Sequence, residues 1–350
     1  MRAAIDATPL TLTSGGLARY TRELGLALAR TFPEDEFLLV SDQQFPEPPG
    51  APANLHAGGT PRNALERRWW LWGLERELAR QGVAVFHGTN FAVPYLARRP
   101  SVLTLHDLSP WMDPAWHHDA ARVRVRTPLL IEMGIATLVL TDTEAVRRQV
   151  IEHFRLPGWR VTSAPLGGLA APRPAAERGN YFLFVGTLEP RKNVPGLVAA
   201  WREVWKRHGA ELWLAGRKRA DFPVLRPEPG LKLLGEAPDD ALPALYAGAL
   251  ALVYPSHYEG FGLPVVEAMQ CGACVIASRD PALVEVAGGA AVHAGSEKEL
   301  RDAMLAVIEQ PERAAEWRAR AARRGAEFSW ERTARMTREI YDEAQRRFTA

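Results

Sequence analysis

Short apolar runs rich in Val, Ile and Leu alternate along the chain with longer stretches of helical period, the pattern of parallel strands whose two faces are covered by helices. In the first half strands are expected near 2–6, 36–41, 83–87, 101–105, 136–141 and 160–164, and amphipathic helices over 16–31, 63–81, 119–133 and 143–154. The pattern then restarts. Strands are expected near 181–186, 210–215, 231–234, 250–254 and 273–277, with helices near 193–208, 239–247 and 264–271. Between the halves, residues 164–180 are dense in Gly, Pro and Ala and read as a linker. The tail, 296–349, reads as nearly continuous helix broken at Pro311 and near Phe328-Ser-Trp330. Two doubly wound α/β domains facing each other across a cleft is the expected architecture.

Length supports two domains, since 350 residues exceed what one core usually holds. Hydrophobic residues at 47%, charged residues at 24% and a net charge of +2 are ordinary globular values, and a nucleic-acid partner is not expected. No run approaches the roughly 18 apolar residues that span a bilayer, and no signal-like stretch opens the chain, so the expected address is the cytoplasm. Cys271 and Cys274 form a C-x-x-C, but no second pair completes a zinc site, and both fall where a helix should hand over to a buried strand. They read as small apolar core residues, and no metal is expected.

In doubly wound sheets ligands bind outside the carboxyl ends of the strands, where helix N-termini present free N–H groups. Four clusters occupy such ends. In Ser14-Gly-Gly-Leu-Ala-Arg-Tyr20, Gly15 and Gly16 would let backbone approach a ligand, although an unliganded tight turn reads equally well. In Thr104-Leu-His106-Asp107, the histidine could bind a substrate or move a proton, against the alternative of a structural histidine held by a carbonyl. His87 lies at a similar strand end. In Phe184-Val-Gly-Thr-Leu-Glu-Pro-Arg191-Lys192-Asn193, an adjacent guanidinium and ammonium beside a helix start suit a diphosphate. The chain has only five lysines, which lowers the chance that Lys192 is a solvated charge.

The fourth cluster is Glu259-Gly-Phe-Gly-Leu-Pro-Val-Val-Glu267. Pro264 suits the first turn of a helix, so the amides of Phe261, Gly262 and Leu263 would face whatever sits before it. Glu259 then lies in the loop and Glu267 about one turn inside the helix, so the two cannot share a helical face. This separation suggests a sugar-facing Glu259 and a ribose-facing Glu267; two solvated surface charges are the alternative.

Together these segments, with Leu233-Leu-Gly235 and Phe328-Ser-Trp330, resemble the retaining glycosyltransferases of family 4 (group 1) over nearly the whole chain. The resemblance implies a GT-B fold of two Rossmann-like domains: 1–168 binding the acceptor, 169–327 binding a nucleotide diphosphate sugar, and a C-terminal helix, 328–350, packing back toward the first domain. It implies catalytic-centre positions for His106 and Glu259, and donor contacts from Gly15, Gly16, Arg191, Lys192, Phe261, Gly262, Leu263 and Glu267. No cofactor or metal is implied, the nucleotide sugar being a substrate. Many relatives place an arginine directly after the strand-end glycine, where this chain has Thr187; Arg191 would supply the charge instead, an arrangement associated with GDP-mannose users.

The expected reaction moves a sugar from GDP-mannose or a UDP-sugar to a hydroxyl of a glycan or polyprenyl-diphosphate-linked acceptor. Arg67-Arg-Trp-Trp-Leu-Trp72 and Arg122-Val-Arg-Val-Arg126 would suit a peripheral contact at the inner membrane face, unless the tryptophans simply pack against the sheet. A nucleotide-sugar epimerase of the same fold and a noncatalytic two-lobed sugar-binding protein are the competing readings. A dehydrogenase is disfavoured, since neither half supplies a good G-x-G-x-x-G after a strand.

Overall fold

The computed structural model describes residues 1–12, 15–117, 120–169, 178–223 and 225–348. The chain divides into two compact units, one made of Met1–Leu166 with Trp330–Ala350 and the other of Gly167–Ser329.

In the first unit the elements run β1 (Arg2–Asp6), α1 (Gly16–Thr31), β2 (Glu36–Val40), β3 (Leu55–Ala57), α2 (Leu74–Arg80), β4 (Val85–Gly88), β5 (Ser101–Thr104), α3 (Ser109–Met112), α4 (Ala121–Glu132), β6 (Leu138–Thr141), α5 (Glu144–Phe154) and β7 (Val161–Ser163). The sheet is parallel in the order β3-β2-β1-β4-β5-β6-β7. Chain order therefore reverses between β1 and β4, the switch point at which such sheets open a crevice. Strands such as β5 and β6 are buried at every position, as a sheet covered on both faces requires.

The second unit contains β8 (Tyr181–Val185), α6 (Val194–His208), β9 (Glu211–Ala215), β10 (Leu231–Gly235), α7 (Leu242–Gly248), β11 (Ala251–Tyr254), α8 (Leu263–Gln270), β12 (Cys274–Ala277), α9 (Pro281–Ala287), β13 (Val292–His293), α10 (Glu297–Glu309) and α11 (Pro311–Gly325). Its sheet order is β10-β9-β8-β11-β12-β13, with the switch point between β8 and β11. The last helix, α12 (Trp330–Arg347), belongs to the first unit and packs along α1. Two hydrogen bonds tie it there: Tyr341 Oη lies 2.7 Å from His87 Nδ1, buried, and Thr333 Oγ1 donates to Pro165 O at 2.6 Å.

Several elements depart from the sequence reading. The helix expected over 63–81 begins only at Trp69, as a π-turn over Trp69–Gly73 that runs into α2. A Cβ on Gly73 would lie 2.0 Å from Glu66 O, so the wide turn is packed directly against the preceding backbone. Strand β3 and the pair α9 and β13 are absent from the reading because each is too short to show a period. β10 is an edge strand with Leu233 and Leu234 exposed, not the buried strand its apolar sequence suggests. The tail breaks at Pro311 and before Trp330, as expected. Of the segment read as a linker, residues 170–177 lie outside the described residues, as do Ser14 in the first cluster and residue 119 at the start of the expected helix 119–133. Cys271 and Cys274 are free and buried. Among the described residues no helix is long and apolar enough to cross a membrane.

Candidate active site

In the second unit, β8 leaves the sheet into a short 3-10 turn, Pro190–Lys192, and Asn193 in the left-handed region (φ 52°) starts α6. This turn hydrogen-bonds to the loop leaving β11, through His257 N–H to Arg191 O at 2.8 Å. The two strands that flank the switch point thus deliver their following loops to one place. There Lys192 Nζ donates to Glu259 Oε1 at 2.5 Å and to Tyr254 Oη at 2.8 Å. Arg191 donates to Glu259 Oε2 at 3.3 Å, to Tyr258 O at 2.8 Å and to Glu189 Oε1 at 2.9 Å. Arg219 lies on the far side of Glu189 at 3.5 Å.

Lys192 and Glu259 are 7% and 5% exposed, so this is a buried pair. Burial acts to raise the Glu259 pKa, but the charges of Lys192 and then Arg191 outweigh it and hold the carboxyl below its ordinary value. An ammonium has three N–H donors, and Lys192 commits two of them within the described protein. The third donates to no group among the described residues.

Gly262 occupies the N-cap of α8 at φ 89°, where a Cβ would also meet Leu283 Cδ2 at 2.5 Å; only glycine fits. Pro264 sits in the first turn of α8, as expected. The N–H groups of Phe261, Gly262 and Leu263 donate to no group of the described protein. They form an anion-receptive helix start beside Glu259. The loop is fixed behind by Asp280, which accepts the Glu259 N–H and caps α9 through Ala282 N and Leu283 N. Burial raises the Asp280 pKa to about 6 in spite of these donors.

Glu267 has a different partner from Glu259. It is fully buried, and Oε2 accepts from Tyr246 Oη at 2.6 Å. The two glutamates of the motif therefore occupy separate environments.

In the first unit, His106 follows β5 and is nearly buried, its side chain 13% exposed. Its Nδ1 lies 2.7 Å from Asp142 Oδ2 and its Nε2 lies 2.9 Å from Thr89 O. Thr89 O can only accept, so Nε2 carries a proton, and an ionised Asp142 would then make the ring an imidazolium, although burial raises the Asp142 pKa as well. Burial disfavours that charge, yet Asp142 outweighs it, and the His106 pKa is raised. The ring packs edge-on against Tyr20 at 4.7 Å, and Tyr20 Oη and His87 Nε2 both reach Thr104 Oγ1, at 3.2 and 2.6 Å. Thr89 Oγ1 donates to Asp6 O at 2.8 Å, joining the carboxyl ends of β1 and β4 across the switch point. Gly15, at φ 109° with open space where a Cβ would stand, caps α1, and Gly16 begins it.

The structure thus gathers Arg191, Lys192, Glu259 and the amides of Phe261, Gly262 and Leu263 in one unit, with Glu267 buried nearby on α8, and gathers His106 with Asp142 in the other. Sequence reasoning missed Tyr254, Tyr246, Asp142 and Asp280. Tyr254 and Asp142 stand at strand carboxyl ends, the same register that drew attention to His106, and that register was the available signal.

Two family models match the chain: Glycosyltransferase Family 4 over residues 14–167 and Glycosyl transferases group 1 over residues 170–324. The chain is 36% identical over 284 residues to O-antigen chain mannosyltransferase B of Escherichia coli, covering 73% of this chain and 74% of that protein. It is 28% identical over 223 residues to O-antigen chain mannosyltransferase RfbU of Salmonella typhimurium, covering 60% of each. Among solved structures, sucrose-phosphate synthase from Thermosynechococcus elongatus superposes with a TM-score of 0.72 over 98% of both chains at 19% identity, a likeness of fold. With two Rossmann-like units, a GT-B fold and these relatives, the chain belongs to the group 1, family 4 glycosyltransferases.

Proposed function

We propose that the protein is a retaining mannosyltransferase that takes mannose from GDP-mannose and places it on a hydroxyl of a growing polysaccharide or lipid-linked glycan. The observation that carries this reading is the Lys192–Glu259 pair at the β8/β11 switch point, with one ammonium donor left over and three helix-start amides beside it. Mannose as the transferred sugar and a polysaccharide as the product are supported by the relatives' names. The Arg191-Lys192 arrangement, with Thr187 in place of the usual arginine, favours GDP over UDP.

In this mechanism the bond between the anomeric carbon and the diphosphate oxygen breaks, and its electron pair leaves with the diphosphate. The growing negative charge falls to Lys192, Arg191 and the amides of Phe261, Gly262 and Leu263, donors already in place before the reaction. The acceptor oxygen bonds to the anomeric carbon on the face the diphosphate vacates, and its proton passes to the departing phosphate. Glu259 keeps the two cations apart and aimed, and contacts the transferred sugar; Glu267, held by Tyr246, receives the ribose hydroxyls. His106, paired with Asp142, contributes a fixed positive charge at the carboxyl end of β5 in the first unit. Gly15 and Gly16 leave backbone open to a ligand at the start of α1.

A protein of this kind has a reason to visit the inner membrane face. Leu65, Arg67, Arg68 and Trp72 are exposed together on the segment leading into α2, whereas Trp69 is buried and Trp70 packs on the core. Unchanged binding to anionic vesicles after Arg67, Arg68 and Trp72 are replaced by alanine would remove this part of the proposal.

The direct test is a thermal-shift panel of GDP, UDP, ADP and their sugars against wild type and Lys192→Ala. GDP and GDP-mannose are expected to raise the wild-type melting temperature most, with the rise lost in the variant. No response to any nucleotide would overturn the assignment.

A further inference from the structure

Helix α4 carries Arg122 and Arg126 one turn apart on one side, so the two like charges repel. Among the described residues neither has a carboxylate within ion-pair distance. Both instead converge on one phenol. Arg122 Nη2 lies 3.5 Å from Tyr95 Oη, and the charge of Arg126 also acts on that hydroxyl. Burial would raise the Tyr95 pKa, but the two guanidiniums outweigh it and hold the hydroxyl below its ordinary value. Arg126 stacks over Trp70, with 5.8 Å from Cζ to the ring centroid, and donates to Phe91 O at 3.2 Å. Its Nε is buried with no partner. Arg126 is half-buried, and taking part of a cation out of water without a counter-charge is costly; a helix that sets a second cation beside it increases the cost. Such an arrangement is explained by an anion that completes it.

The position agrees with a ligand. Phe91 and Tyr95 lie on the loop leaving the carboxyl end of β4, one of the two switch-point strands, and Tyr95 N–H bonds to Trp70 O at 2.9 Å, which fixes the aromatic wall. The one carboxyl near Arg126, Asp6, accepts from Thr8 N and Thr8 Oγ1 and is no ion-pair partner; burial raises its pKa to about 6. One guanidinium fork over an aromatic ring and a second beside it at a phenol suit the oxygens of a phosphate or diphosphate.

We propose that Arg122, Arg126, Tyr95 and Trp70 form an anion subsite in the first unit that takes a phosphate or diphosphate group, separate from the donor site at Lys192. It rests on the proposed reaction only for the ligand's origin, an acceptor carrying that group. The subsite itself is tested without any transfer.

The experiment is a calorimetric titration of inorganic pyrophosphate into the full chain held at saturating GDP. Replacing both arginines, Arg122→Gln with Arg126→Gln, is expected to weaken pyrophosphate binding by at least about tenfold, while Arg122→Lys with Arg126→Lys retains most of it. Should the double glutamine chain melt early, Arg122→Gln alone, at an exposed position, is expected to weaken binding about threefold. Pyrophosphate affinity unchanged in the glutamine variants would overturn the subsite. Co-sedimentation with phosphatidylglycerol vesicles on the same variants identifies the source. Loss there together with the pyrophosphate loss assigns the group to a lipid headgroup, and unchanged sedimentation assigns it to a phosphate carried by the acceptor. Failure of the mannose-transfer reading would show as absent transfer with pyrophosphate binding intact.

Discussion

Each unit places a buried cation and a carboxylate at the carboxyl ends of its strands, but the two pairs differ in what they leave unused. In the first unit His106 can present at most two N–H groups, and Asp142 Oδ2 and Thr89 O occupy both positions. In the second, Lys192 has three and gives two, to Tyr254 and Glu259. Arg191 beside it and the amides of Phe261, Gly262 and Leu263 add further capacity for an anion. A fully committed cation can act through its field and shape but has no donor left for a new bond. A partly committed one can bind a ligand and still be held in place by the bonds it keeps. The second arrangement is what a diphosphate needs, and the first is poorly suited to shuttling protons.

The strongest way to break this contrast is to remove the spare donor. Lys192→Ala is expected to lower kcat by about a hundredfold or more, the scale seen when one pre-positioned stabiliser of transition-state charge is lost. It also leaves Glu259 buried with Arg191 as its remaining ion-pair partner, so a lowered melting temperature is expected alongside the kinetic loss. A variant with normal turnover would end the assignment of Lys192.

Next in size is the division between the two glutamates. Glu267→Ala should weaken bare GDP binding by about tenfold or more, the value of hydrogen bonds to a charged acceptor, while Glu259→Ala should reduce turnover more than it reduces GDP affinity. Equal loss of GDP affinity in both would contradict the separate environments that Tyr246 and Lys192 create for them. Tyr254→Phe is the gentler version of the same test. It removes one bond from the ammonium and keeps the ring, so about a tenfold fall in kcat with an unchanged fold is expected.

The smallest effect concerns the first unit and is read on the pH axis. The His106 pKa in the folded protein is raised, so the stability it contributes is fully present below the unfolded value of about 6.5 and is lost as pH rises through the folded value. Asp142→Asn removes the charge that raises it. The alkaline limb of kcat/KM should therefore move to lower pH, with KM for the donor nearly unchanged. An unmoved limb would show that the imidazolium plays no part.

The cluster at the β8/β11 switch point was largely legible in the sequence. Glycine before Pro264 marks a helix start whatever the tertiary context, and an arginine-lysine pair after a strand is conspicuous in a chain with five lysines. What could not be read was pairing. Tyr254 and Tyr246 look like core residues in sequence because their rings are buried, and only the fold shows that their hydroxyls hold Lys192 and Glu267. Asp142 lies 36 residues from His106, and parallel pairing of β5 with β6 brings them together. The tryptophan-rich segment misled for a similar reason. Its period is helical, but the turn is wide at Trp69–Gly73 and buries one tryptophan while exposing another.

The central claim, that the Lys192 cluster is a diphosphate site kept partly neutralised by Glu259, is tested most directly by calorimetric titration of GDP into wild type, Lys192→Ala and Glu259→Gln. Removing the carboxylate's charge frees both cations, so Glu259→Gln is predicted to bind GDP at least as tightly as wild type, while Lys192→Ala binds it at least about tenfold more weakly. GDP affinity that is unchanged in Lys192→Ala, or that falls in Glu259→Gln as far as it does in the lysine variant, would contradict the account.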